Sequence, residues 1–285
     1  TEVLLDQGHE ISERTVRLEL QELDTEGLTE NCGRRGRRIT ATGIAELDAA
    51  QTLSRVGFLS AKIDQMSYRM TFDLARRTGT IVVNMGVLRF DQFAQCVDEV
   101  AEVFSRGYAM GHLAGLVGPG ERVGDTVVPD GMVGFCTVCS ITLNGVLLKH
   151  GVPVHSRFGG LIELLDGRAT RFLEMINYDG TTLDPLEIFI RSAMTNYLGA
   201  IGSGCGRIGA SFREVPADSV GLVADLAERL DEIGLGGFMK IGQPGQDLLG
   251  TPVSSGRAGA IVIGGLNPMA IFEECGMRVQ ARALS

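Results

Sequence analysis

Residues 131–157, GMVGFCTVCSITLNGVLLKHGVPVHSR, and residues 256–282, GRAGAIVIGGLNPMAIFEECGMRVQAR, run in register at an offset of 125 positions. Gly131 falls on Gly256, Gly134 on Gly259, Gly151 on Gly276, Val154 on Val279 and Arg157 on Arg282. The register extends upstream, where LAGLVGPG (113–120) falls on FMKIGQPG (238–245), with Pro119 on Pro244. The helical patterns QCVDEVAEVF (95–104) and GLVADLAERL (221–230) correspond with a small shift. Turn glycines, prolines and helix spacing held in one register indicate an internal duplication.

Each copy reads strand, helix, strand, Pro-Gly turn, strand, helix, strand, which is an α/β pattern. In the first copy the strands are TIVVNMG, HLAGLV, VGFCTVC and VPVHSR, and the helices are DQFAQCVDEVAEVF, starting at Asp91, and TLNGVLLKHG, ending at Gly151. In the second, IGASFREV, FMKIG, GAIVIGG and MRVQARA are strands, with helices in PADSVGLVADLAERLDEIG and NPMAIFEECG. Asn267-Pro268 reads as an N-cap followed by proline at the first helical position, and its register mate Thr142 is also a capping residue type. Between the copies, Asp166-Gly167 predicts a hairpin turn. A helix is expected from Asp184-Pro185 onward, with Leu186, Ile190 and Met194 on its apolar face. GSGCGRIG (202–209) reads as a flexible joint, since it does not follow a strand in the dinucleotide-binding pattern.

The first fifty residues are of another kind. Ser12 is placed to cap a helix over ERTVRLELQELDTEG, in which Val16, Leu20 and Leu23 share one face and Arg14, Thr15, Arg17 and Gln21 lie opposite. Gly27 suits the position just past its end. LTENCGRRGRRITATG then reads as two short strands around a tip carrying Arg34, Arg35, Arg37 and Arg38. A helix, a Gly-Leu turn and a basic hairpin form the winged-helix pattern, in which the helix enters the major groove and the wing meets phosphate or minor groove. Arg suits phosphate because its planar fork donates paired, charge-assisted bonds. Residues 42–53 are expected to form a linker helix. The sequence opens in TEVLLDQGHEIS without Met and without the leading helix of a winged-helix unit, so a clipped N-terminus is expected.

Charge limits how such a unit could act. The chain of 285 residues carries a formal charge of −9, and its first fifty residues hold eleven acidic side chains against six basic ones. Contact with nucleic acid must therefore come from a local basic patch and gain from dimerisation. Aromatic residues are 6% of the chain and Trp is absent, which argues against base-stacking single-strand platforms. No apolar run of membrane-spanning length and no signal peptide is evident, and six scattered Cys suit reduced cytoplasmic thiols.

The chemistry is expected at CTVCSITLNG (136–145), where a strand passes into a helix. Free N–H groups and the helix dipole favour an anion there. Thr137, Cys139, Ser140, Thr142 and Asn144 surround that junction, and Arg157 on the next strand supplies positive charge. The sister junction offers Gly264, Gly265, Asn267 and Arg282. Two related anion sites, or one site across the cleft between the copies, both fit this pattern. The single CxxC (Cys136, Cys139) lacks a second ligand pair, and the four His have no metal spacing, so no metal or cofactor is expected.

SERTVRLELQELDTEGLTENCGRRGRRIT, VGFCTVCSITLNGVLLKHGVPVHSRFGG and GAIVIGGLNPMAIFEECG together resemble the NrpR family of nitrogen-regulation repressors. The first segment alone is similar to the winged-helix unit of ribonuclease R enzymes. The resemblance implies a homo-oligomer, at least a dimer, that binds double-stranded operator DNA and is released by 2-oxoglutarate. The expected organisation is a truncated winged helix with linker over 1–53, a first effector repeat with hairpin over 54–178, and an inter-repeat helix with the second repeat over 179–285. An enzyme acting on a small carboxylic acid, with an accessory winged helix, is the alternative, although no nucleophile or general base stands out.

Overall fold

The computed structural model describes residues 12–33, 36–44, 58–124, 126–277 and 279–284. The chain divides into two compact units, Thr1–Gly57 and Phe58–Ser285. In the first, helix α1 spans Glu13–Thr25 and the Ser12 hydroxyl accepts from Thr15 N at 3.1 Å. Val16, Leu20 and Leu23 are half-buried along one face, as their spacing predicts. The helix stops where Gly27 adopts φ +73°, which lets Leu28 N bond back to Leu23 O. Strands β1 (Thr29–Asn31) and β2 (Arg37–Ile39) then pair antiparallel, with Glu30 opposite Arg38. Thr40 Oγ1 accepts from Gly43 N and starts a helical turn at 41–44, while the rest of the expected linker helix lies outside the described residues.

The second unit opens with α2 (Leu59–Arg69), β3 (Val83–Arg89), α3 (Phe90–Gln95) and α4 (Val97–Ser105). It continues through β4 (Ala114–Val117), the small hairpin β5 (Arg122–Val123) and β6 (Thr126–Val127), β7 (Met132–Val138), α5 (Ile141–Lys149), β8 (His155–Leu165) and β9 (Arg168–Asn177). The remainder is α6 (Pro185–Arg191), α7 (Tyr197–Ser203), β10 (Gly206–Pro216), α8 (Val220–Glu232), β11 (Phe238–Ile241), β12 (Arg257–Ile263), α9 (Asn267–Glu274) and β13 (Gln280–Leu284). One sheet has the order β4-β7-β3-β13 and the other β11-β12-β10-β8-β9. All their pairings are antiparallel. Strand β8 follows α5 yet pairs with β10, and β13 follows α9 yet pairs with β3.

β7 and β12 are apolar along nearly their whole length because both of their faces are covered. Helices α5 and α9 are likewise buried on almost every side, which explains sequences without a polar stripe. The largest core joins residues of both sheets, among them Leu88, Phe135, Phe212 and Ile261, with Phe272 of α9. Asp166-Gly167 turns β8 into β9 as predicted, but β8 is longer than expected and begins at His155.

Several expectations need correction. The helix expected from Asp91 to Phe104 is two, α3 and α4, broken at Cys96. The helix expected to run on from Pro185 is also two, because Ala193 takes φ +53° and the Glu274 carboxylate accepts from the N–H groups of Tyr197 and Leu198 at the start of α7. Gly204 ends α7 and leads directly into β10, so 202–209 is a helix end and a strand start. Thr142 and Asn267 are not N-caps. Thr142 is the second residue of α5 and Asn267 the first of α9, and each side chain reaches across the fold instead: Thr142 Oγ1 donates to Val82 O at 2.9 Å, and Asn267 Nδ2 donates to Tyr108 O and Gly209 O at 2.8 and 2.9 Å.

Gly265 lies where the two strand–helix junctions pack against each other. A Cβ there would stand 2.6 Å from Val138 O and 3.0 Å from Cys139 Cα. Gly265→Ala should therefore cost about 1–3 kcal/mol of stability through overpacking. A urea melt of the variant within a few tenths of a kcal/mol of the parent chain would contradict that packing.

Candidate functional site

In the second unit, the β7–α5 junction (Cys139, Ser140, Ile141) and the β12–α9 junction (Gly264, Gly265, Leu266) line one cavity of about 50 Å³. The two triplets stand at the 125-residue offset. Helix α2 closes one side with Leu59, Ile63 and Met66. Tyr178, Asp184 and Leu186 close another, and Asn84 of β3 with Ser211 and Arg213 of β10 complete the lining. By the space one water needs, the cavity holds roughly three or four waters or the head of a small ligand.

Part of its polar lining is unsatisfied. Asn84 Nδ2, Ser211 Oγ and Arg213 Nε are buried without a partner in full hydrogen-bonding geometry, although Asn84 approaches the Cys139 thiol and Ser211 the Tyr178 phenol. Buried polar atoms normally find partners, so three at one cavity mark a place for something that accepts hydrogen bonds. Arg213 is 3% exposed, and none of the ion pairs among the described residues includes it. Its Nη1 donates to Ser140 O at 2.9 Å and to Asn144 Oδ1, and Asn144 Nδ2 donates in turn to Ser156 Oγ at 3.0 Å. The guanidinium is thus fixed by neutral acceptors and keeps its charge for the cavity, although burial lowers its pKa.

The other titratable groups are quiet. Burial pushes the Cys139 thiol up to about 11 and raises the Tyr178 phenol further, so both are neutral near pH 7. Cys136 faces a different cluster, with Met85 and Val128, so the CxxC thiols do not meet. Asp184 is the exception. Burial pushes its carboxyl up to about 6, against hydrogen bonds from the N–H groups of Leu186 and Glu187.

Of the side chains expected to hold an anion, Cys139 and Ser140 line the cavity. Asn144 stands behind it and positions Arg213. Thr137 is turned away, its hydroxyl donating to Gly265 O at 2.7 Å, and Thr142 and Asn267 are spent on the backbone bonds above. Arg157 lies elsewhere: its Nη1 donates to Glu214 Oε1 at 2.9 Å and to Pro252 O at 2.6 Å. Of Arg282 only the backbone, paired with Met85, is described. Sequence reasoning missed Asn84, Ser211, Arg213 and Tyr178. The available signal was Ser211 and Arg213 two apart in the strand IGASFREV, which puts both on one face of an otherwise largely apolar segment.

In the first unit, Arg14, Thr15, Arg17 and Gln21 are exposed along α1. Arg17 lies 3.4 Å from Glu13, and Thr15 Oγ1 is 2.8 Å from Ser12 Oγ. Arg37 is not free for phosphate. Its fork donates Nε to Asp24 Oδ1 at 2.9 Å and Nη2 to Oδ2 at 2.6 Å, tying the hairpin to α1 and holding the Asp24 carboxyl below its usual range. Arg38 pairs across the strands with Glu30 but stays 75% exposed. Arg34 and Arg35 lie outside the described residues.

A family model described as NrpR regulatory domains NRD1 and 2 matches residues 56–285, and one described as the ribonuclease R winged-helix domain matches residues 1–47. The chain is 32% identical to the global nitrogen regulator NrpRI of Methanosarcina mazei over 287 residues, which cover 99% of this chain and 87% of that protein. It is 29% identical to the global nitrogen regulator NrpR of Methanococcus maripaludis over 96% of this chain, and spans 47% of that longer protein. The crystal structure of a nitrogen repressor-like protein from Methanococcus jannaschii shares the fold with a TM-score of 0.65, at 23% identity, covering 80% of this chain and 95% of that one.

The Arg157–Glu214 pair tests whether Arg157 has a structural role. Burial would raise the Glu214 carboxyl, but hydrogen bonds from Ser254 and the charge and fork of Arg157 outweigh it and hold the pKa low. Arg157→Leu leaves that buried charge short of a partner and should cost about 2–4 kcal/mol at pH 7. A depressed carboxylate lends stability only above its unfolded pKa, so the deficit should shrink as pH falls through the acid range. Urea melts at pH 7 and pH 4 showing equal deficits would refute this assignment.

Proposed function

The chain belongs to the NrpR family, and from that membership we propose that it is a cytoplasmic transcriptional repressor that binds operator DNA through its winged-helix unit and senses 2-oxoglutarate in the cavity around Arg213. The observation that carries the sensing half is the unpaired, buried guanidinium with two further unpartnered groups, Asn84 Nδ2 and Ser211 Oγ, at one cavity. A carboxylate brings acceptor oxygens and a negative charge and answers all three. The cavity admits a carboxylate head but not a ten-atom dicarboxylate, so binding displaces part of its wall. Helix α2 is the wall best placed to respond, because it is the first helix after the segment that leads out of the winged-helix unit. An effector that favours one position of α2 then shifts the population of DNA-competent repressor.

The larger unit reads as two copies of one α/β unit of about 125 residues that exchange their last strands. Support comes from β7 and β12, which lie 125 positions apart at both ends, and from the reciprocal placing of β8 beside β10 and β13 beside β3. A division of effector repeats at 178/179 then separates the sequence copies but not the cores. Among the described residues no helix is long and apolar enough to cross a membrane. For the DNA half, exposed Arg14 and Arg17 on α1 are the cations offered to phosphate, in a homodimer whose two winged helices meet two half-sites.

Calorimetry with 2-oxoglutarate on the whole chain should show saturable binding, weakened at least tenfold by Arg213→Met. Absence of heat at millimolar ligand would remove the sensing reading. Replacing Arg14 and Arg17 together by Ala should weaken operator binding and flatten its dependence on salt, by about 0.9 in the log–log slope for each phosphate no longer neutralised. An unchanged slope would remove α1 from the DNA interface.

A further inference from the structure

Asp184 is the second charged group at the cavity, and its position sets a condition on any anion bound there. Its Oδ1 accepts from Leu186 N at 2.9 Å at the start of α6, and it forms no ion pair with Arg213 among the described residues. A carboxylate seated on Arg213, Asn84 and Ser211 fills a space of about 50 Å³ that Asp184 also borders. Two carboxylates across so small a cavity cannot both stay ionised without strong repulsion.

We infer that the effector carboxylate enters together with one proton, which Asp184 takes up and then offers back to the ligand as a hydrogen bond. This rests on the proposed effector site and adds a specificity-determining residue to it. The groups facing Asp184 leave it as the acceptor of that proton. Arg213 from β10 is a permanent cation, and α2 presents only Leu59, Ile63 and Met66. Cys139 ahead of α5 and Tyr178 after β9 are already protonated near neutrality. Glu187, on α6 itself, adds further negative charge that favours protonation of Asp184. Burial has already brought Asp184 to about 6, so above that pH it is ionised in the empty protein and close to titrating. Protonated, it becomes a donor, the one role that suits an acceptor-only ligand.

Linkage gives the sign. Where the empty protein holds Asp184 ionised, binding consumes a proton, so affinity falls as pH rises, approaching tenfold per unit between about pH 6.5 and 8. Below about 6 the carboxyl is protonated beforehand and the dependence levels off. The test is calorimetry of 2-oxoglutarate binding to the whole chain at pH 7.5 in two buffers of different protonation enthalpy. Wild type should take up close to one proton per ligand. Asp184→Asn keeps the helix cap, since Asn caps as well as Asp. It should bind with no proton uptake, with a flat pH profile, and at pH 7.5 at least as tightly as wild type. Binding whose heat is independent of buffer in wild type, or proton uptake that survives in the Asn variant, overturns the inference while the effector site stands. Absence of binding in wild type overturns both.

Discussion

β8 lies beside β10 and β13 lies beside β3, so neither half of the larger unit completes its sheet from its own strands. The rest of that unit depends on these pairings. They make the halves obligate partners, because separating them would expose strand edges along β3 and β10 and split a core that draws on both sheets. They also bring two strand–helix junctions, 125 residues apart in the chain, against each other. Gly265 touches Val138 and Cys139 because no side chain could stand there, and the space left beside that approach is the cavity.

Of the junction side chains at this cavity only Cys139 and Ser140 are not hydrocarbon, and the rest of its polar lining comes from Asn84 of β3, from Tyr178 and Asp184, and from Ser211 and Arg213 of β10. A guanidinium at 3% exposure with neutral partners alone is costly, since desolvation is offset only by the Ser140 carbonyl and the Asn144 amide. A carboxylate partner would have been the economical way to stabilise it, and β10 has one next door. Yet Glu214 points to the opposite face of the strand and is taken by Arg157 and Ser254. Keeping the two charges of adjacent residues apart leaves Arg213 without an ion-pair partner among the described residues.

The sequence was legible where periodicity and turn chemistry act locally. Ser12, Gly27, Asp166-Gly167 and the buried runs of β7 and β12 all appear where those rules put them. The 125-residue register located the two junctions, and Cys139 and Ser140 with them. The failures have a common cause. Thr142 and Asn267 look like caps from their neighbours, but their side chains bond to Val82, Tyr108 and Gly209, partners far away in the chain. Arg157 looked like a free cation because Glu214 is fifty-seven positions distant. Arg37 in the smaller unit is the same case, since its hold on Asp24 comes from the hairpin folding back on α1. A residue's type suggests what it can bond, while the fold decides which bond is already taken.

The register also bears on whether there are two anion sites or one. If the junctions alone made the site, the halves would offer two equivalent places. The polar groups are instead asymmetric. At the 125-residue offset Asn84 stands opposite Gly209, Ser211 opposite Gly86, and Arg213 opposite Leu88. Each half supplies a donor where the other has glycine or leucine, and all of them face the single cavity where the junctions meet. Junctions in one sequence register therefore build opposite walls, and dissimilar side chains give the cavity a charged end at Arg213 and an acidic edge at Asp184. An asymmetric lining of this kind can orient a ligand whose two ends differ, which a strictly symmetric cleft could not do.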